Sequence, residues 1–315
     1  MSSRLENRVA IVTGAGRGIG RAHALELASH GALVVVNDLG VALDGQSESE
    51  SPAQMVAREI TDLGGTAIAN IEDVADWDGA HRMIEGAVES FGRLDVLVNN
   101  AGIIRDRMLI NLDEDDWDGV IRVHLRGTFA PMRFAARHWR EKSKSGDHVD
   151  ARIINTTSSS GIYGNVGQTN YGAAKAGIAA LTVISSMELK NYGIKVNAIA
   201  PGARTRMTDT PDRRAPSPFA LQPDKEFDHG APENISPLVA WLAGPESAEV
   251  TGKVFNISGG SLSMAEGWHA GESVEQESRF TLEQLDDIVP ELMAKDPGRA
   301  DMSGRLPGDE GHGQH

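Results

Sequence analysis

Seven short β-branched runs, VAIV, ALVVV, TAIAN, LDVLVNN, ARIINTT, IKVNAIA and KVFNI, are spread from Val9 to Ile257, with helix-like segments between them. The runs are almost continuously apolar, too much so for a sheet with one wet face, and so read as strands buried on both sides. The intervening segments, such as RAHALELASH, PAQMVAREITDLG, WDGAHRMIEGAVESFG and YGAAKAGIAALTVISSMELKNYG, carry helical patterning, and several close on a glycine where a C-cap falls. Strict alternation of strand and helix predicts an α/β fold, a doubly wound parallel sheet covered on both faces, with ligand sites at the carboxyl ends of the strands.

Composition removes several kinds of chemistry. The 315 residues contain no cysteine, which excludes disulfides, thiolate metal sites and thiol nucleophiles and points to a reducing compartment, the cytoplasm. Ten histidines form no HExxH, so no metal is expected. The first apolar run enters a glycine turn at once, and no stretch approaches the length of a membrane span, so neither a signal peptide nor membrane insertion is expected. A formal charge of −15 argues against nucleic acid as a partner.

Three stretches interrupt the alternation. Residues 40–52, GVALDGQSESESP, are a polar insertion after the second strand. Residues 203–232 lack a period and have the length of a lid or substrate loop. From 261 onward the chain holds twelve carboxylates against four bases, a net of −8, so just over half of the −15 lies in the tail. The expected division is a catalytic domain over 1–262 and an acidic extension over 263–315. Within the extension, Thr281 and Gln284 form a capping box opening a helix with Leu282, Leu285, Val289 and Leu292 on one face, which Pro290 would bend or end.

The first strand runs into VAIVTGAGRGIGRAHALEL. Strand, glycine turn and helix start together make a phosphate cradle, because the glycines admit a pyrophosphate close to the backbone and the helix N–H groups face it. Gly14, Arg17, Gly18, Ile19 and Gly20 are its candidate contacts. The second strand ends at Asp38, about twenty residues on, where a carboxylate can bond both ribose hydroxyls and repel a 2′-phosphate. NAD is therefore favoured over NADP, and Arg17, able to meet a phosphate, keeps NADP as the alternative.

The stretch SSSGIYGNVGQTNYGAAK, residues 158–175, places Tyr171 and Lys175 four apart, on one helical face. A nearby ammonium favours the phenolate, which lets a tyrosine exchange a proton with a reacting alcohol near neutral pH. Gly172, Ala173 and Ala174 leave that face open to a flat ring, and Ser158 lies thirteen residues upstream at the end of the fifth strand.

TGAGRGIG, NNAG, Ser158 with Tyr171-xxx-Lys175, and Pro201-Gly202 together resemble the short-chain dehydrogenase/reductase family over residues 6–262. The resemblance implies Tyr171 as general acid/base, Ser158 polarising the substrate oxygen, and Lys175 binding the nicotinamide ribose while lowering the tyrosine pKa. Ser159, Ser160 and Tyr163 are then loop and pocket wall. It also implies adenine contacts from Asp73 and Val74, cofactor contacts from Asn100, Ala101, Gly102, Pro201 and Gly202, a supporting role for Asn99, and a homodimer or homotetramer. Thr205 bonds the nicotinamide carboxamide or caps its loop. The family's usual fourth catalytic residue, an asparagine in VNLxG, is His124 here, in VHLRG. Its imidazole either holds a water in a proton relay to Lys175 or fills the helix structurally.

VVVNDLG, NNAGIIRDRM, DEDDWDGVIRVHLRGTF and SGIYGNVGQTNY are similar to the (3R)-hydroxyacyl-CoA dehydrogenase portion of the peroxisomal multifunctional enzyme and its bacterial steroid-catabolic relatives. The likeness implies an acyl-CoA substrate, fatty or steroid, for a stand-alone bacterial-type enzyme. Arg105 and Arg107 either meet CoA phosphates or form ion pairs. Trp268 and His269 either pack or reach a neighbouring subunit, and the far side of the Tyr171 helix (Ala176, Ile178, Ala179) is a candidate interface. The rival readings are a 3-oxoacyl reductase or hydroxysteroid dehydrogenase, and a non-catalytic NAD-binding sensor or scaffold. A serine hydrolase is disfavoured, since GGSLS misses the GxSxG elbow.

Overall fold

Each expected run forms a strand: β1 (Val9–Thr13), β2 (Leu33–Asn37), β3 (Thr66–Asn70), β4 (Val96–Asn99), β5 (Ala151–Thr156), β6 (Ile194–Gly202) and β7 (Val254–Ser258). The computed structural model describes residues 3–40, 50–205, 219–221 and 226–309. The centres of the polar insertion and of the substrate loop lie outside those residues. Among the described residues the sheet has eight strands in the order β3-β2-β1-β4-β5-β6-β7-β8. The eighth, β8 (Ser261–Met264), runs antiparallel to β7, with Phe255 opposite Met264, and departs from the all-parallel expectation. Its SLSM sequence is too short and too polar to announce a strand, and a two-glycine turn after β7 folds it back.

Period-two geometry explains the continuous apolar runs. In β1, Val9 and Ile11 join one core with Val35, Leu97, Ile153 and Val196, while Ala10 and Val12 join the other with Val34, Val36, Val98 and Ile154. Each fully buried side chain of this size contributes about 1.5–3 kcal/mol. Helices α1 (Gly18–Ser29) and α2 (Pro52–Asp62) cover one face, and α3 (Trp77–Phe91) the other. Ser51 and Gln54 form a reciprocal capping box at the start of α2, so the insertion ends on a helix cap.

Between β4 and β5 lie α4 (Glu114–Ile121) and α5 (Gly127–Lys144), joined through a five-residue π-helical turn over Arg122–Arg126. After β5 come the single turn α6 (Ser159–Ile162) and the long α7 (Thr169–Leu189); α8 (Ser236–Ala243) precedes β7. In the tail, α9 (Leu282–Ala294) opens on the expected Thr281–Gln284 capping box. Pro290 does not end it; the helix runs on to Ala294. Ile178 is buried in the core, which corrects its assignment to an exposed far side of α7. The outward stripe is instead Ala176, Ala180, Val183, Ile184 and Met187. Trp268 is fully exposed and packs on nothing among the described residues.

The order of strands reverses between β1 and β4, the switch point at which a crevice opens beyond the strand ends. The glycine turn after β1, Asn99–Gly102 after β4 and Ser158 after β5 all fall on that rim. No described helix is long and apolar enough to cross a membrane.

Candidate active site

Gly14 leaves β1 at φ +62°, and a Cβ there would lie 2.7 Å from Ala101 Cα, so the turn is pressed against the end of β4. Asn100 locks the two together: its Nδ2 donates to the carbonyls of Thr13 (3.0 Å) and Gly14 (3.2 Å). The Thr13 hydroxyl accepts from the N–H groups of Asn100 (2.9 Å) and Ala101 (3.1 Å). Asn100 thus shapes the cradle with its side chain, and Thr13, the first residue of TGAGRGIG, ties the turn to the end of β4 although it was not among the candidate contacts.

Among the described residues a Cβ at Gly18 would meet only Thr205, at 3.6 Å and beyond, so those residues leave the space over the start of α1 open and Thr205 borders it. The helix has no side-chain cap and no acidic residue in its first turn. Unpaired N–H groups facing open space are what a pyrophosphate requires, and the residues fit a dinucleotide. Asp38 Oδ2 accepts from Gly16 N at 2.9 Å and its Oδ1 from Gly40 N at 2.9 Å, which fixes the carboxylate beside the turn. Asp73 is engaged by Arg122 (2.6 Å) and by Ala75 N (2.8 Å), which hold its carboxyl below the usual range, while Val74 is buried under Gly127. Gly202 lies against the Phe219 ring, and Arg204 pairs with Asp228, closing the ends of the substrate loop on each other.

Ser158, Tyr171 and Lys175 converge. Ser158 is the N-cap of α6, accepting from Ser160 N at 3.2 Å, and its hydroxyl lies near enough to the Tyr171 phenol to favour the phenolate. Lys175 is buried and its Nζ donates to Thr156 O at 2.6 Å, while the ammonium lies 5.6 Å from the Tyr171 ring centroid. Burial lowers the lysine pKa to about 7, so it is half protonated at neutral pH. The phenol departs from expectation. Its pKa is raised, by burial and by the nearby Asp106 carboxylate, with the neighbouring Ser158 hydroxyl opposing; the ammonium is directed to Thr156 O rather than to the phenol oxygen. Asp106 is held beside the site by Gln168 Nε2 at 2.8 Å, and Gln168 also accepts from Ser160 Oγ at 2.7 Å. Nothing in the spacing of Asp106 signals this, because the contact is purely tertiary.

His124 occupies the π-helical turn, an irregularity frequent at functional sites. Its Nε2 lies 2.6 Å from Ile103 O and 3.1 Å from Ile103 N, contacts that ask opposite roles of it, and the shorter assigns the proton to Nε2. Nδ1 is then a bare, buried acceptor with no protein partner. Burial and the Lys175 charge lower the imidazole pKa to about 3, so the ring stays neutral. It stands edge-on to Tyr171, centroids 5.1 Å apart, and fills the space where a Gly102 side chain would be. One imidazole nitrogen is thus tied to the backbone, and the other offers a lone pair.

Asn99 donates to Asn155 Oδ1 at 2.9 Å, and Asn155 to Thr182 Oγ1 at 2.9 Å, a buried chain that ties α7 to the strands beneath it. Arg107 bonds Asp116, and Arg105 lies 3.9 Å from the same carboxylate and donates to Asp115 O. The ion-pair alternative for the two arginines is the one the structure contains. Among the described residues no cluster of His, Asp and Glu could hold a metal.

A family model described as short chain dehydrogenase matches residues 8–215. The chain is 44% identical to the hydroxyacyl-CoA dehydrogenase ChsB1 of Mycobacterium tuberculosis, over 82% of this chain and 80% of that one. It is 42% identical to the mouse peroxisomal multifunctional enzyme type 2, over 82% of this chain but 32% of that longer protein. The crystal structure of a short chain dehydrogenase from Mycobacterium avium is similar at 51% identity and a TM-score of 0.84, covering 94% of this chain and 98% of that one.

Proposed function

The chain belongs to the short chain dehydrogenase family, and from that premise we propose that it oxidises the 3-hydroxyl of a (3R)-hydroxyacyl-CoA, fatty or steroid, with NAD. It is an oxidoreductase acting on a CH–OH group with a nicotinamide cofactor. The single observation that carries the reaction is the convergence of Ser158, Tyr171 and Lys175 on the rim beside an open, uncapped helix start. The substrate class rests on the likeness to a relative named for hydroxyacyl-CoA.

The glycine turn and Asp38 would hold the dinucleotide, which would supply a hydride acceptor for the substrate carbon. Ser158 orients the substrate oxygen with the hydroxyl that lies beside the phenol. Tyr171, in its phenolate form, takes the hydroxyl proton as the carbonyl forms. Lys175, with a pKa of about 7, binds the ribose and passes the proton onward, and the bare Nδ1 of His124 accepts a hydrogen bond in that path.

The test is absorbance at the NADH band with NAD or NADP and a panel of (3R)- and (3S)-hydroxyacyl-CoAs, a steroid side-chain acyl-CoA and a free hydroxysteroid. Turnover confined to (3R)-thioesters with NAD supports the reading. Oxidation of the free steroid alone, or preference for NADP with an oxoacyl thioester, transfers the chain to one of the rival activities. In the same assay Asp38→Ala is expected to weaken NAD roughly tenfold or more and NADP little, because only the 2′-hydroxyl loses an acceptor. An unchanged ratio removes Asp38 from cofactor selection.

The exposed stripe Ala176, Ala180, Val183, Ile184 and Met187 on α7 supports a homo-oligomer, since small and apolar residues on one helix face suit two-fold packing against a second copy. Ile184→Glu is expected to halve the particle mass measured by light scattering; a parent chain already monomeric at micromolar concentration sinks this interface.

A further inference from the structure

Composition marks the tail as acidic, yet one of its four bases, Arg299, lies against the loop between Ser158 and Tyr171. Its Nε donates to Tyr163 O at 2.8 Å and its Nη2 to Gly164 O at 2.7 Å. Two residues further on, Asp301 Oδ1 accepts from Ser303 N (2.8 Å), Ser303 Oγ (2.6 Å) and Arg305 N (3.0 Å) and so winds the tail into a tight loop. That loop carries Gly304, at φ +83°, onto the tyrosine: a Cβ there would lie 2.6 Å from the Tyr163 hydroxyl oxygen. From the sheet, Asn256 Nδ2 donates to the same oxygen at 2.9 Å.

Tyr163 is therefore held at its carbonyl by the tail and at its hydroxyl between tail and β7. Its other backbone tie is local, the N–H donating to Ser159 O at 2.7 Å within the same short turn. Helix α6 is four residues long, too short to hold its own shape, and the loop after it has glycines in the left-handed region at Gly164 and Gly167. A guanidinium is suited to the task because its planar fork reaches two successive carbonyls at once, whereas an ammonium is a single point donor. We infer that the tail segment Arg299–Arg305 is a clamp that fixes the Tyr163 wall of the catalytic face, with Arg299 a positioning residue for substrate binding. Its part in substrate binding rests on the acyl-thioester reading above; the clamp itself does not.

The test pairs hydrogen exchange with steady-state kinetics on the full-length chain. In Arg299→Ala, amides in peptides spanning residues 159–168 are expected to exchange roughly tenfold faster while the core strands are unchanged. KM for the best thioester is expected to rise roughly five- to tenfold with kcat within about twofold and NAD binding unaltered. Arg299→Lys should lie between the two, and Gly304→Val, which pushes the loop off Tyr163, should repeat the split by a different route. Unchanged loop exchange overturns the clamp. Faster exchange throughout the protein, or kcat falling as far as KM rises, overturns it in favour of a general stability role, and faster loop exchange with KM unmoved overturns the part in substrate binding. If the parent chain turns over no thioester, the substrate reading fails while the exchange measurement still decides the clamp.

Discussion

Tyr171→Phe is expected to lower kcat about a thousandfold or more while leaving NAD affinity within about twofold. The substitution deletes one oxygen and keeps the ring that stands edge-on to His124. No backbone bond depends on that oxygen: the Tyr171 N–H is met by Asn170 Oδ1 at 2.8 Å, and Asn170 is in turn bound to the carbonyls of Arg105 and Asp116. The Ser158 hydroxyl beside it loses a polar neighbour, and the urea midpoint should scarcely move. Stopped-flow absorbance at the NADH band, with fluorescence titration of cofactor alongside, separates binding from chemistry. In the parent enzyme, burial and Asp106 hold the phenol above its ordinary value, so alcohol oxidation should quicken with rising pH as the phenolate becomes available. Residual activity within tenfold of the parent would remove Tyr171 from the proton path, whatever the fold around it.

How far the site could be read from residues alone is clear from that one side chain. The i, i+4 spacing of Tyr171 and Lys175 and the strand-end place of Ser158 are local facts, and local geometry carries them into the structure unchanged. The same holds for the seven parallel strands, whose continuous apolar patterning is itself the consequence of two-sided burial. What the pattern did not carry depends on contacts between distant parts of the chain. The ammonium chooses the Thr156 carbonyl over the phenol because the end of β5 passes beneath α7. Asp106 arrives beside Tyr171 through Gln168, and Arg299 reaches Tyr163 from 136 positions away. Asn100 reads as a cofactor contact from its motif, but its amide is spent on the two carbonyls that shape the glycine turn. Ile178 reads as outward-facing on an apolar helix, where a stripe of alanines on one side and core residues on the other leave the periodicity nearly flat.

Lys175→Met carries the second large effect, and in it activity and stability should move in opposite directions. Burial holds the pKa of Lys175 at about 7, against 10.5 for an ordinary lysine. Between those pH values the unfolded chain binds a proton that the folded chain does not, so stability rises with pH across the window and the full cost of the buried charge is present below it. At 1.36 kcal/mol per unit the gap corresponds to at most about 5 kcal/mol at neutral pH. Methionine matches the length and fills the space without the charge, but it leaves Thr156 O without its donor, a loss of about 1–3 kcal/mol. The variant should therefore melt a few degrees higher than the parent at pH 7, and the advantage should shrink and reverse as pH approaches 10.5. Turnover should fall at least about a hundredfold, since the proton held beside Tyr171 has lost its carrier. Calorimetry at pH 7 and pH 10 together with kcat reads both arms. A variant that melts lower than the parent at both pH values would mean that the ammonium is a net structural contributor, and the case for Lys175 as a strained, functional base would fall.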